Sequence, residues 1–106
     1  QAEDALSRAE RINALLAGWR RAASGSSSKV PATLVDLLAE NPYWTVKRAA
    51  ERLGIAFTTA QRAVRRLESS GILTQATDAK RDRVYCAKAI LEILEEPVNV
   101  RASHRP

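Results

Sequence analysis

Cationic and hydrogen-bonding side chains recur at helical spacing in the segment 57–70. At about 100° per residue, one face of a helix there carries Thr58, Gln61, Arg62, Arg65 and Ser69, flanked by Thr59 and Arg66. Glu68, the one carboxylate of this segment, lies towards the core-side edge of the helix. Side chains of this kind make the hydrogen bonds that proteins form with phosphates and base edges. The pattern favours a polyanionic partner, and the alternative is a charged face that meets only solvent.

The residue types on this face suit a DNA duplex, whose major groove admits one helix. The N-terminal residues of such a helix reach deepest into the groove. We therefore expect base contacts from Thr58, Thr59, Gln61 and Arg62. Arg65 and Arg66 lie further along the helix, and we expect them to bind phosphates of the DNA backbone.

The elements that must hold this face are visible in the flanking residues. Ala60, Val64 and Leu67 form the core side of a helix over Phe57–Ser70, with Ala63 and Phe57 at its edges. A shorter helix, Val46–Leu53, begins after the N-cap residue Thr45 and ends at Gly54. The turn Gly54-Ile55-Ala56 between them is too short for antiparallel packing. It predicts the near-perpendicular corner of a helix-turn-helix.

A β-hairpin follows the second helix. Strands are predicted over Ile72–Gln75 and Arg83–Cys86, joined by a polar turn at Thr77–Asp82. Its basic residues Lys80, Arg81 and Arg83 suit contact with the DNA backbone, although Asp78 and Asp82 leave a salt-bridged turn as the alternative. Lys47 and Arg48 on the first helix are further candidates for flanking phosphates. The predicted fold is mainly α with a small β-wing, a winged helix-turn-helix.

Further helices are predicted over residues 3–23, Pro31–Glu40 and Lys88–Glu96. We expect four regions: an amphipathic linker or dimerisation helix in 1–24, a Ser/Gly linker in 25–29, the winged helix-turn-helix domain in 30–97 and a flexible tail in 98–106. The first helix needs a partner surface for its apolar side. That partner is the winged helix itself, a second copy or a domain outside this chain. We expect a homodimer, with an interface formed by Leu6, Ala9, Ile12, Leu16 and Trp19.

The charge of the chain is concentrated in the helix-turn-helix and wing. The formal net charge is +5, and residues 44–91 carry ten basic and four acidic side chains. Residues 1–43 are neutral, with five of each sign. This distribution is the footprint expected for a partner such as double-stranded DNA. No apolar run approaches the roughly 18 residues of a membrane span, so we expect no membrane contact.

Other chemistry finds little support in the sequence. Cys86, the one cysteine, is expected to be a small buried apolar side chain, and a cytoplasmic location is the default. His104 has no arrangement of Asp, Cys or Ser around it. The chain has no Gly-rich phosphate loop and no metal-ligand spacing, so we expect neither a cofactor nor enzymatic activity. It starts at Gln1 and contains no Met, which suggests a fragment of a longer protein.

The stretch T-V-K-R-A-A-E-R-L-G-I-A-F-T-T-A-Q-R-A-V-R-R-L-E-S-S-G-I-L-T, Thr45–Thr74, resembles the C-terminal winged helix of Fic family proteins. The resemblance extends over residues 8–97. Its further motifs are E-N-P-Y-W from Glu40, K-R-D-R-V-Y from Lys80, I-L-E-I-L-E-E-P from Ile90 and R-I-N-A-L-L-A-G-W-R-R from Arg11. Ala56 stands where the family often has a capping Ser, and the catalytic loop H-P-F-x-x-G-N-G-R is absent.

The resemblance implies that this chain is the C-terminal regulatory part of a Fic-type AMP transferase, with no activity of its own. DNA binding would then make it a module of transcription regulation. The alternative is a protein-interaction or dimerisation module. Such a module would dock on the missing N-terminal catalytic domain without binding DNA.

Overall fold

The computed structural model describes residues 2–25, 28–78 and 80–96, with side chains from Ser7 onwards. Within these ranges the chain forms five helices and a three-stranded antiparallel sheet of order β1-β3-β2. The elements are α1 Ala2–Ala23, α2 Val30–Glu40, β1 Tyr43–Thr45, α3 Val46–Leu53, α4 Phe57–Ser69, β2 Thr74–Gln75, β3 Val84–Cys86 and α5 Lys88–Glu95. The predicted tail 98–106, part of the linker 25–29 and the side chain of Leu6 lie outside the described residues.

The predicted fold, a winged helix-turn-helix, is confirmed, and the ends of all five predicted helices agree with the structure to within one residue. The predicted start of the first hairpin strand is wrong. It begins at Thr74 rather than at Ile72, because the backbone N–H groups of Ile72 and Leu73 donate to the carbonyl of Leu67 at the end of α4. These two residues are buried and close the helix instead of pairing with β3.

The corner between α3 and α4 follows from local chemistry at both ends of α3. The Thr45 hydroxyl oxygen accepts a hydrogen bond from the Arg48 backbone N–H at 3.1 Å, which is the predicted N-cap. Gly54 has φ 68°, the left-handed conformation that glycine adopts without strain. The N–H of Ile55 then returns to the Ala50 carbonyl at 3.0 Å, so the chain leaves α3 sharply and enters α4 at Phe57.

The core lies between α2, α4 and the sheet. Its largest fully buried side chains include Leu34 and Leu38 of α2, Leu67 of α4 and Leu73 before β2. Ala60 and Ala63 of α4 are also buried, and their small side chains let α4 approach its neighbours closely. Cys86 is buried, as predicted.

The helix α1 packs on this core rather than standing apart from it. Leu16 is only 3% exposed, and Ile12, Leu15 and Trp19 are partly buried against the same core. The expectation that Leu16 faces a second protomer is therefore wrong, because the domain's own apolar surface covers it. Of the other expected interface residues with described side chains, Ala9 is exposed.

Polar contacts hold α1 to the domain at two places along the helix. Arg20 Nε donates to Asp36 Oδ1 of α2 at 2.6 Å. At the other end Arg11 pairs with the Glu96 carboxylate, and Arg8 donates to the Glu96 carbonyl at 2.7 Å. Arg11 lowers the pKa of Glu96, mainly through the hydrogen bond that stabilises the charged carboxylate. The helix is thus held to both α2 and the end of α5.

The sheet connects the wing to the helix-turn-helix. Trp44 pairs with Tyr85, and Thr45 pairs with Val84, in the antiparallel ladder of β1 and β3. The indole N–H of Trp44 donates to the Asn41 carbonyl at 2.5 Å, which anchors β1 under the end of α2. The sequence pattern did not predict β1. No helix among the described residues is long and apolar enough to cross a membrane.

Candidate nucleic-acid interface

The two faces of α4 are divided largely as predicted. Its buried side consists of Ala60, Ala63, Val64 and Leu67. The side chains on the outer side are exposed or half-buried: Thr58, Thr59, Gln61, Arg62, Arg65, Arg66 and Ser69. Among the described residues, none of the three arginines has a carboxylate within ion-pair distance. The donors of this face are therefore available to a ligand.

Phe57 departs from the prediction that placed it at the edge of the core. Its side chain is 51% exposed. It is the first residue of α4 and precedes the first buried position of the helix, Ala60, by nearly a full turn. The aromatic ring therefore lies beyond the reach of the core and borders the space in front of the wing. The position of an aromatic residue directly after the turn is the sequence signal for this exposed ring.

A cleft of about 430 Å³ separates α4 from the wing. Its apolar lining consists of Val46, Phe57 at the start of α4 and the buried Tyr85. Two carboxylates, Glu68 and Asp82, line it as well, so Glu68 lies closer to the basic face than its predicted place at the core-side edge. The cationic side chains around it come from three elements and comprise Lys47, Arg65, Lys80, Arg81 and Arg83. The structure thus brings predicted residues of α3, α4 and the wing around one opening.

The wing loop is shaped by its own backbone. The Ala76 N–H donates to the Val84 carbonyl at 2.7 Å and extends the hairpin beyond β2. Asp82 has φ 52°, a left-handed turn that carries the chain back into β3. No described carboxylate lies within ion-pair distance of Lys80 or Arg81. The alternative of a salt-bridged turn therefore has no support at these two residues.

A second, smaller groove of about 280 Å³ runs along the other flank of α4. Thr59, Arg62 and Arg66 line it, opposite the start of α2 at Val30 and Pro31. Gln61 and Arg65 face the cleft on the wing side instead. The exposed edge of α4 is therefore a ridge with basic residues on both flanks, and Thr58 lies on its crest.

The basic residues of α3 are divided between two surfaces. Lys47 lines the cleft. Arg48 lies elsewhere, with its guanidinium carbon 5.0 Å from the centroid of the Trp44 ring, a cation–π geometry. Beside it, Arg52 binds the Glu40 carboxylate at 2.9 Å. The structure therefore does not bring Arg48 together with the other predicted backbone contacts.

Comparison with protein families matches residues 34–74 to a family described as winged helix-turn-helix DNA-binding. The matched segment begins within α2, contains all of α3 and α4, and ends at the start of β2. It therefore includes the whole helix-turn-helix and the predicted base-contacting residues. No curated protein matches the chain. The chain thus contains a segment similar to DNA-binding winged helices, folded as such a domain.

Proposed function

We propose that this domain binds duplex DNA, with α4 in the major groove and the wing against the sugar-phosphate backbone. One observation carries the proposal: the exposed basic ridge of α4 and the basic wing border a single cleft, whose five cations outnumber its two carboxylates, Glu68 and Asp82. A polyanion in front of this surface would meet positive charge from both elements at once. The similarity of residues 34–74 to DNA-binding winged helices supports the same function.

Base contacts are assigned to the N-terminal half of α4. Arg62 suits guanine, because a guanidinium donates in a bidentate way to O6 and N7. Gln61 suits adenine, because its amide both donates and accepts. Thr58 and Thr59 offer a hydroxyl and a methyl group to neighbouring base edges. These side chains precede Arg65 on the helix and would therefore reach deepest into the groove.

Phosphate contacts are assigned to the residues around the ridge. Arg65 and Arg66 lie on opposite flanks of α4, so each would face a different strand of the duplex. From the wing, Lys80, Arg81 and Arg83 would meet the backbone beside the groove, and Lys47 would do so from α3. Arg48 lies outside the cleft and is the least supported member of the predicted set.

Fluorescence anisotropy with a labelled random-sequence duplex of about 20 base pairs, two helical turns, tests the proposal. Neutralising 4–6 phosphates should give a slope of log K against log salt of about −4 to −5 between roughly 50 and 200 mM salt. The double variant Arg62→Ala/Arg65→Ala should bind more weakly, and the loss of Arg65, the phosphate contact of the pair, should make the slope less steep by about 1. Arg11→Gln removes a cation that is paired with Glu96 and lines neither groove of α4, so it should leave the slope unchanged.

Two results would contradict DNA binding. One is the absence of any duplex binding by the wild-type chain at about 50 mM salt, where electrostatic binding is strong. The other is binding with the same slope in the wild type and the double variant, because the ridge would then not contact phosphates. An equal loss of affinity in Arg11→Gln would show that the effect comes from the net charge of the protein alone.

Pairing of two such domains is a separate part of the proposal. A dimer would present two α4 helices to half-sites about 34 Å apart or a multiple of that distance. The exposed Ala9 and the partly buried Ile12 and Trp19 are the surface that α1 offers for it. Light scattering of the wild type and of Ala9→Glu tests this interface, and a monomer in both cases contradicts it.

The Fic-type context is proposed on the sequence resemblance alone. The family match covers the helix-turn-helix and carries no information about a catalytic domain. The resemblance predicts the loop H-P-F-x-x-G-N-G-R in the protein sequence that precedes Gln1. A preceding sequence without this loop contradicts the context but leaves DNA binding untouched.

A further inference from the structure

Phe57 is the one large apolar side chain that the described part of α4 exposes. Its two counterparts among the described residues, Tyr43 and Leu94, lie on β1 and α5. Phe57 borders a cleft whose cations include Lys47 and Arg65. A half-exposed aromatic ring within a cationic surface calls for a ligand that is anionic overall but offers an apolar group at this point.

The major groove of a DNA duplex offers one such group. The base edges there present hydrogen-bond donors and acceptors, and the C5-methyl group of thymine is the apolar group among them. Phe57 is the first residue of α4, and the first residues of a recognition helix reach deepest into the groove. We infer that Phe57 is a specificity-determining residue that packs on a thymine methyl group. The inference rests on the proposed function.

The position of Gln61 sharpens this specificity. It lies one helical turn after Phe57 and lines the same cleft. Four residues at about 1.5 Å of rise place the two side chains about 6 Å apart along the helix axis. That distance corresponds to about two base steps of about 3.4 Å. With Phe57 on a thymine and Gln61 on an adenine, the preferred site contains these two bases one or two steps apart.

A protein partner with an apolar side chain is the other occupant that such a ring could take. The charge around the cleft argues against it: five cations face two carboxylates there, and an apolar partner would have to desolvate this excess of positive charge without neutralising it. DNA supplies phosphates for the cations and a methyl group for the ring in one ligand. The experiment below separates the two occupants.

The test uses the full chain and a pool of duplexes of about 20 base pairs with a random central segment. Binding selection yields the preferred duplex, which is then synthesised with deoxyuridine in place of each thymine in turn. Deoxyuridine pairs like thymine but lacks the methyl group. Loss of one buried methyl group should weaken wild-type binding about fourfold at one or two positions. Replacing the other thymines should change affinity less than about 1.5-fold, within the scatter of such measurements.

Phe57→Ala should bind the thymine and deoxyuridine duplexes alike and select sites without the thymine. Leu94→Ala removes a side chain of similar exposure from α5 and should discriminate as the wild type does. Circular dichroism establishes that both variants are folded. The deoxyuridine series on the wild type does not depend on any variant.

Duplex binding that is insensitive to deoxyuridine at every position overturns the inference and leaves the proposed function standing. So does a Phe57→Ala variant that still discriminates between the two duplexes at the same position. Failure of the wild type to bind any duplex of the pool overturns both the inference and the proposed function.

Discussion

Replacing Leu16 by alanine removes an apolar side chain from the junction between α1 and the rest of the domain. Leu16 is 3% exposed and belongs to the same buried cluster as residues of α2, α4 and α5. The substitution should therefore destabilise the whole winged helix, and not only the helix that carries it.

The magnitude follows from the burial of the site. Leu→Ala at buried positions costs about 2.7–5.0 kcal/mol, depending on how far the neighbours fill the cavity. The neighbours on α1, Ile12, Leu15 and Trp19, are only partly buried and can move inwards. We therefore expect the lower part of that range, about 3 kcal/mol. At roughly 4–8 °C per kcal/mol, the melting midpoint should fall by more than about 10 °C.

Urea unfolding followed by circular dichroism measures the loss. Leu94→Ala is the matched control, because the same chemical change at a side chain that is 50% exposed should cost about 1 kcal/mol. Equal losses in the two variants would refute the packing of α1 on the domain. A Leu16→Ala variant that unfolds like the wild type at low protein concentration, but has lost a dimer, would also refute it. That result would instead place Leu16 in an interface with a second protomer.

Two pairs of substitutions test the turn and the α1–α5 contact. Gly54→Ala should cost about 1 kcal/mol, because its φ of 68° is unfavourable for a residue with a Cβ. Gly18→Ala should instead stabilise α1 by about 0.5–1 kcal/mol, since an added Cβ meets only a flexible guanidinium at 4.0 Å, and thermal melts compare the two. Arg11 lowers the pKa of Glu96 in the folded state. Their contact therefore stabilises the folded state at pH values above the ordinary glutamate pKa, and this stabilisation is lost as the pH falls through the lowered pKa. The difference in urea midpoint between wild type and Glu96→Gln should therefore shrink from about pH 7 to about pH 3, while Glu95→Gln shows no such trend.

The helix-turn-helix could be predicted from sequence because its boundaries are set by neighbouring residues. Thr45 caps α3 through the N–H of Arg48, three positions along the chain. Gly54 ends the helix with a backbone conformation that glycine favours. The apolar spacing of Ala60, Val64 and Leu67 fixes which side of α4 is buried. Each signal lies within a few residues of the structure it determines.

The missed features depend on partners far away in the chain. The strand β1, Tyr43–Thr45, exists because it pairs with Val84–Cys86, about 40 positions later. Periodicity predicts the apolar stripe on α1 but does not identify the surface that covers it, and for Leu16 that surface is the domain's own core. The angle of Phe57 on the helix predicts a position at the edge of the core. That angle does not show that the core ends before the first turn of α4.

The geometry of the proposed interface depends on a single shared residue. Thr45 is both the last residue of β1, paired with Val84 of the wing strand, and the N-cap of α3. The wing strand is therefore paired, through the β1–β3 ladder, with the residue at which the helix-turn-helix begins. Lys80 and Arg81, in the loop just before Val84, consequently line the same cleft as Arg65, and none of these three side chains forms an ion pair with a described carboxylate. The spacing of these charges is set by the fold, so a duplex would meet a surface that is already arranged.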